Sequence, residues 1–93
     1  MNEKIIKQIF LGNNLEKIIS IKKIEIGFTN EVYSINNKFI IKICKKISNE
    51  ENFKKEVYLY DFFKEKIKIP QVIIYDDSKK IYNKNYMIYK RIP

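Results

Sequence analysis

Two charged residues stand where the hydrophobic pattern calls for none, and both suit the handling of an anion. Lys42 interrupts Phe39-Ile40-Ile41-Lys42-Ile43-Cys44, a run otherwise apolar on both faces of a strand. Glu56 falls within the apolar stripe of a following helix. At about 100° per residue, Leu59, Phe63, Glu56, Tyr60, Phe53 and Val57 occupy one arc in that angular order. A lone buried charge is costly, so each of the two should be met by the other or by a ligand. A strand lysine steadied by a helix glutamate is one way to grip the oxygens of nucleotide phosphates. Plainer readings also exist: Lys42 as an edge-strand lysine reaching water, and Glu56 as a half-exposed helix residue paired with Tyr60 or a nearby lysine.

The elements that must position this pair follow from periodicity and turn chemistry. Residues 3–11 carry Ile5, Ile6, Ile9 and Phe10 at helical spacing, and Gly12-Asn13-Asn14 is a stop signal. A short helical or extended piece follows through Ile18 and Ile19. From Ile21 the pattern turns to strand, Ile24 and Ile26 alternating with Lys23 and Glu25 up to Gly27. Residues 27–30 read as a turn, 31–35 as a strand, Asn36-Asn37 as a hairpin turn suited to positive φ, and 38–44 as a third strand. Ser48 and Glu51 fit a capping box opening a helix over 48–66. Pro70 blocks its continuation, and strands over 72–75 and 85–91 flank an Asp76-Asp77-Ser78 turn. The expected fold is α+β: a five-stranded, mostly antiparallel sheet with one packed helix, plus an N-terminal helical segment.

Composition narrows the function classes. The chain has 93 residues, 45% hydrophobic and 32% charged, which suits one modest core in a single lobe. Its net charge of +8 could draw nucleic acid, anionic lipid or a phosphorylated ligand. The lysines are spread along the chain, however, and Arg91 is the only arginine. A nucleic-acid surface would cluster them and use more arginine, so that partner is unfavoured. The abundance of Lys, Ile and Asn suggests an AT-rich bacterial genome. Cys44 is the only cysteine, which points to a reducing cytoplasm, and the absence of histidine removes the usual base for activating it. No apolar run approaches the ~18 residues that span a membrane, and the N-terminus lacks a signal-peptide core. The chain stops on an apolar strand and Pro93, which reads as a cut through a longer protein.

Taken together, the motifs resemble the N-terminal lobe of the aminoglycoside phosphotransferase and choline kinase-like family, small-molecule kinases with a protein-kinase-like fold. The resemblance runs from near Ile24 to Pro93. It rests on Gly27-Phe28-Thr29-Asn30-Glu31-Val32-Tyr33, Phe39-Ile40-Ile41-Lys42, Lys55-Glu56, Ile69-Pro70-Gln71-Val72-Ile73 and Tyr86-Met87-Ile88-Tyr89-Lys90-Arg91-Ile92-Pro93 in that order.

The resemblance implies a role for each matching residue. Gly27, Phe28, Thr29 and Asn30 would form the loop over the phosphates, where backbone N–H groups can point at an anion. Val32 and Ile40 would cover the base, Lys42 would contact the α- and β-phosphates, and Glu56 would orient Lys42. Tyr89 would back the base pocket, and the backbones of Lys90 and Ile92 would read the base edge. The protein-kinase G-x-G-x-x-G is absent, with only Gly27 remaining, and Ile40 replaces a smaller residue. The family's catalytic and metal-binding residues belong to a C-terminal lobe and have no counterpart here.

The implied activity is phosphoryl transfer from ATP or GTP, with Mg2+, to a hydroxyl of a small molecule. This lobe alone is expected to be inactive and, with an open cleft face, prone to self-association. The alternative is a basic α+β module for nucleic acid.

Overall fold

The computed structural model describes residues 3–27, 30–63, 66 and 71–91. In chain order these form α1 (Glu3–Gly12), β1 (Ile21–Ile26), β2 (Asn30–Ile35), β3 (Phe39–Cys44), a 3-10 turn (Ile47–Asn49), α2 (Glu50–Phe63), β4 (Gln71–Asp76) and β5 (Tyr86–Lys90). The five strands make one sheet in the order β1-β2-β3-β5-β4, with every neighbouring pair antiparallel. β3 lies at the centre because its run is apolar on both sides, and only a central strand buries both. α2 carries the chain from β3 over the sheet to the far edge, and β5 returns between the two.

Side chains alternate along each strand, so the sheet has two distinct faces. One face presents Tyr33, Ile35, Phe39, Ile41, Ile43, Tyr86 and Ile88, which pack with Ile6, Ile9 and Phe10 of α1. Phe10 meets Phe39 edge to face, with ring centroids 5.9 Å apart. The other face presents Cys44 and Met87 to Phe53 of α2, bordered by Val57, Tyr60, Val72, Tyr75 and Tyr89. The N-terminal helix is therefore a second packed layer: each face of the sheet carries one helix.

α1 is fastened at its C-terminal end. Asn13 Nδ2 donates to the Tyr86 hydroxyl at 3.0 Å, and Tyr86 donates to Asp76 Oδ2 at 2.9 Å, tying the helix to β4 and β5. Asn14 takes a left-handed φ of 55°, which ends the helix. Gly12 packs closely on Ile81: a Cβ there would stand 2.9 Å from Ile81 Cδ1, so the Ile81 side chain would have to shift.

Several details depart from the sequence expectation. Residues 15–20 form neither helix nor strand; the Asn36 side chain holds them, its Oδ1 accepting from the Ile19 and Ser20 amides at 2.7 and 3.1 Å. β1 does not alternate cleanly, because a bulge falls between Lys23 and Glu25 and leaves Ile24 54% exposed. Ser48 lies inside the 3-10 turn, and α2 begins at Glu50, so the Ser48 capping box does not form. Asn30 is already the first residue of β2, one residue before the expected strand start, while its carbonyl still closes the turn that precedes it. The Asn36-Asn37 turn is as expected, with φ of 55° and 52°. Lys66, the expected helix end, lies in a turn, its amide donating to the Phe63 carbonyl at 2.9 Å; residues 64 and 65 and Pro70 lie outside the described residues.

Candidate functional site

Lys42 occupies the centre of β3, opposite Val32 on β2 and Met87 on β5. The pleat turns it to the α2 side. Glu56 lies on the helix face that packs there, one turn beyond Phe53, whose burial anchors α2. Lys42 Nζ donates to Glu56 Oε1 at 2.7 Å and to Oε2 at 3.0 Å. The two side chains are 18% and 29% exposed, so the pair is neither sealed in the core nor fully solvated. An ammonium has three N–H groups. Glu56 engages two of them.

The surroundings of the pair are apolar. Ile40 sits opposite Tyr89 in the β3–β5 ladder, and both share the Lys42 face with Val32. Ile40 is buried, while Val32 and Tyr89 are half-buried. Tyr89 meets Tyr60 of α2 edge to face, with centroids 6.1 Å apart. Burial, then the neighbouring Tyr60 and Glu56, pushes the Tyr89 phenol up to about 12. Tyr60 stands four residues after Glu56; burial and then the nearby Glu56 charge raise its pKa.

At the other end of this face, the turn between β1 and β2 is closed by the Gly27 amide donating to the Asn30 carbonyl at 2.9 Å. Lys45, just past β3, donates from Nζ to the Gly27 carbonyl at 3.0 Å, tying the turn to the strand that carries Lys42. Nothing in the sequence pattern singled out Lys45. Gly27 does not have a positive φ, so the special conformational freedom expected of it is not used in this state. Asn30 Oδ1 is buried without a hydrogen-bond partner.

Of the residues marked in the sequence, the structure brings together Val32, Ile40, Lys42, Glu56 and Tyr89. Gly27 and Asn30 bound the turn above them. Lys90 closes β5, opposite Phe39 and Gln71. Phe28, Thr29 and Ile92 lie outside the described residues. Cys44 is buried and donates its thiol to the Lys46 carbonyl at 3.3 Å. Burial pushes that thiol up, consistent with a packing role. Among the described residues no group of three or more Cys, Asp or Glu side chains could hold a metal, and no helix is long and apolar enough to cross a membrane.

Beyond the pair, α2 and β4 enclose a groove of about 290 Å³ lined by Val57, Tyr58, Tyr60, Gln71, Val72 and Tyr75. The outer side of α2 leaves Tyr58, Leu59 and Phe62 exposed at 65, 56 and 62%.

A five-stranded antiparallel sheet, with a helix packed beside a central-strand lysine, is the architecture of a kinase-like N-terminal lobe. Solved structures that share it include aminoglycoside phosphotransferases. ADP-bound APH(2'')-Ib matches 100% of this chain at a TM-score of 0.77 and 22% identity, over 29% of its own length. The streptomycin-ATP-APH(2'')-IIa ternary complex matches 100% at 0.76 and 22%, again over 29% of its length. The GDP complex of wild-type aminoglycoside 2'-phosphotransferase-IIIa matches 95% at 0.76 and 18%, over 29% of its length. The chain thus spans about three-tenths of the length of these enzymes, and identities this low establish the shared fold. No family model and no curated protein sequence matches the chain.

Proposed function

We propose that this chain is the nucleotide-binding N-terminal lobe of an ATP- or GTP-dependent small-molecule phosphotransferase. The observation that carries the reading is the two-pronged Lys42–Glu56 ion pair, half-open to solvent at the edge of an apolar sheet face. Such a face suits a planar base, and a lysine with a remaining donor suits the phosphates that follow it. On this reading Val32 and Ile40 contact the base, and Tyr89 closes the space behind it. Lys42 holds the α- and β-phosphates, with Glu56 fixing its position. The Gly27–Asn30 turn, including Phe28 and Thr29, covers the phosphates, and the backbones of Lys90 and Ile92 read the base edge.

The nucleotide supplies the phosphoryl group, and a hydroxyl-bearing small molecule would receive it. On the same resemblance, the catalytic base, the Mg2+ ligands and the acceptor pocket are assigned to a second lobe. The chain alone is then catalytically inactive and binds nucleotide weakly, from one wall of a cleft.

Chemical-shift mapping with MgATP and MgGTP tests the reading. Perturbations should centre on Gly27, Val32, Ile40, Lys42 and Tyr89. Perturbations spread over exposed lysines, and reproduced by a single-stranded oligonucleotide with a steep salt dependence, would favour a nucleic-acid module instead.

A further inference from the structure

In a chain of net charge +8, one groove carries the opposite sign. The groove of about 290 Å³ between α2 and the edge strand β4 has a single charged side chain among its described lining residues, the Asp61 carboxylate. At about 100° per residue, α2 presents Tyr60, Val57, Asp61 and Tyr58 in that angular order, so the carboxylate and an apolar residue lie between two phenol rings. Val72 and Tyr75 of β4 close the opposite side. Two of the three rings are braced from behind. Tyr60 rests edge-on against Tyr89 with centroids 6.1 Å apart, and Tyr75 leans on Phe53 at 6.3 Å and 39°. Tyr58 stands at the rim, 65% exposed. Further carboxylates act on the Tyr75 end: burial first, then the charges of Asp77, Glu50 and Glu51, push its phenol up to about 12. Lys79 meets Glu50 at 2.9 Å, while Glu51 and Asp77 are exposed.

We propose that this groove binds a small organic cation, an ammonium group carried on an aromatic or branched apolar body. Tyrosine rings attract a cation through the negative faces of their π systems, and a carboxylate set between them adds an opposite charge. The apolar body then lies against Val57 and Val72, with the ammonium toward Asp61. Ligand pockets begin at about 300 Å³, so a groove of this size admits only a small molecule. Because two of the rings are already braced, little ordering is needed on binding. A nucleotide is disfavoured here, since its phosphates would meet Asp61 and no lysine among the described lining residues. The groove is therefore a site of opposite charge preference to the Lys42 face, and the inference stands independently of the nucleotide reading.

Chemical-shift titration of the chain at neutral pH with phenethylammonium chloride, 2-phenylethanol and sodium phenylacetate tests the proposal, because the three share a body and differ in charge. The ammonium should bind about fivefold more tightly than the alcohol, and phenylacetate more weakly than either. Shifts should centre on Val57, Tyr58, Asp61, Gln71 and Val72. Asp61→Asn, a change of charge with little change of shape at an exposed position, should bring the ammonium and the alcohol to equal affinity. Tyr58→Leu keeps apolar bulk and removes the ring, so the ammonium should bind about two- to fivefold more weakly while the alcohol is unaffected. Thermal melting of each variant checks the fold, and Tyr58→Leu decides alone if Asp61→Asn does not fold. Equal affinity for all three compounds, or no binding at all, overturns the proposal. So does an ammonium preference that survives either substitution in a folded variant, or shifts centred on the Lys42 face or on Leu59 and Phe62.

Discussion

The Lys42–Glu56 pair was legible because each residue breaks a pattern: a charge in a two-faced apolar strand, and a charge in an apolar helix stripe. Its effects on stability and on binding should diverge. Exposures of 18 and 29% place the pair between a surface salt bridge and a buried one, so Lys42→Ala should cost only about 1 kcal/mol of stability in a urea melt. The ring contact of Tyr60 with Tyr89 was less legible, since sequence spacing gives Tyr60 a place in the stripe and says nothing of its neighbour across the sheet. The tyrosines offer a second check at this scale. Burial is the leading cause that pushes Tyr75, Tyr86 and Tyr89 up to about 12. A phenol that holds its proton more tightly when folded adds stability below the unfolded value of ~10, and loses it as pH rises from there toward 12. Absorbance titration of the seven tyrosines should therefore show a late fraction, released together with unfolding.

At the scale of elements, the strands and both helices could be read from period-2 and period-3.6 patterns, while their ends and irregularities could not. The bulge that exposes Ile24 depends on pairing with β2, and the start of α2 depends on a 3-10 turn that competes with a Ser48 cap. The placement of α1 on the opposite face was also hidden, because its apolar stripe fits any apolar surface. Its attachment gives two predictions. Tyr86→Phe removes the hydroxyl shared by Asn13 and Asp76 and should cost about 1–2 kcal/mol, measured by denaturant unfolding. For Asp76, burial raises the carboxyl pKa, but the hydrogen bonds from Ser78 and Tyr86 outweigh it and the net shift is downward. A carboxyl with a depressed folded value contributes stability above its unfolded value of ~3.9, lost as pH falls through the folded value. Asp76→Asn should flatten that acid limb of the stability profile.

For the whole molecule, two surfaces stand apart from a chain of net charge +8: the cleft face around Lys42 and the outer side of α2, where Tyr58, Leu59 and Phe62 are exposed. Contiguous exposed apolar side chains of this kind favour association. Sedimentation should show concentration-dependent self-association of the chain, reduced by Phe62→Ser. The sequence stripe already left Tyr58 and Phe62 off the buried arc, but it counted Leu59 within it, and Leu59 is 56% exposed because α2 packs through Phe53. The central claim is that the Lys42 face binds a nucleotide, and calorimetric titration with MgATP and MgGTP tests it most directly, comparing wild type, Lys42→Ala and the surface control Lys22→Ala. The account predicts at least a tenfold loss for Lys42→Ala and no change for Lys22→Ala. Equal, salt-dependent losses for both variants, or an unaltered affinity in Lys42→Ala, would contradict it.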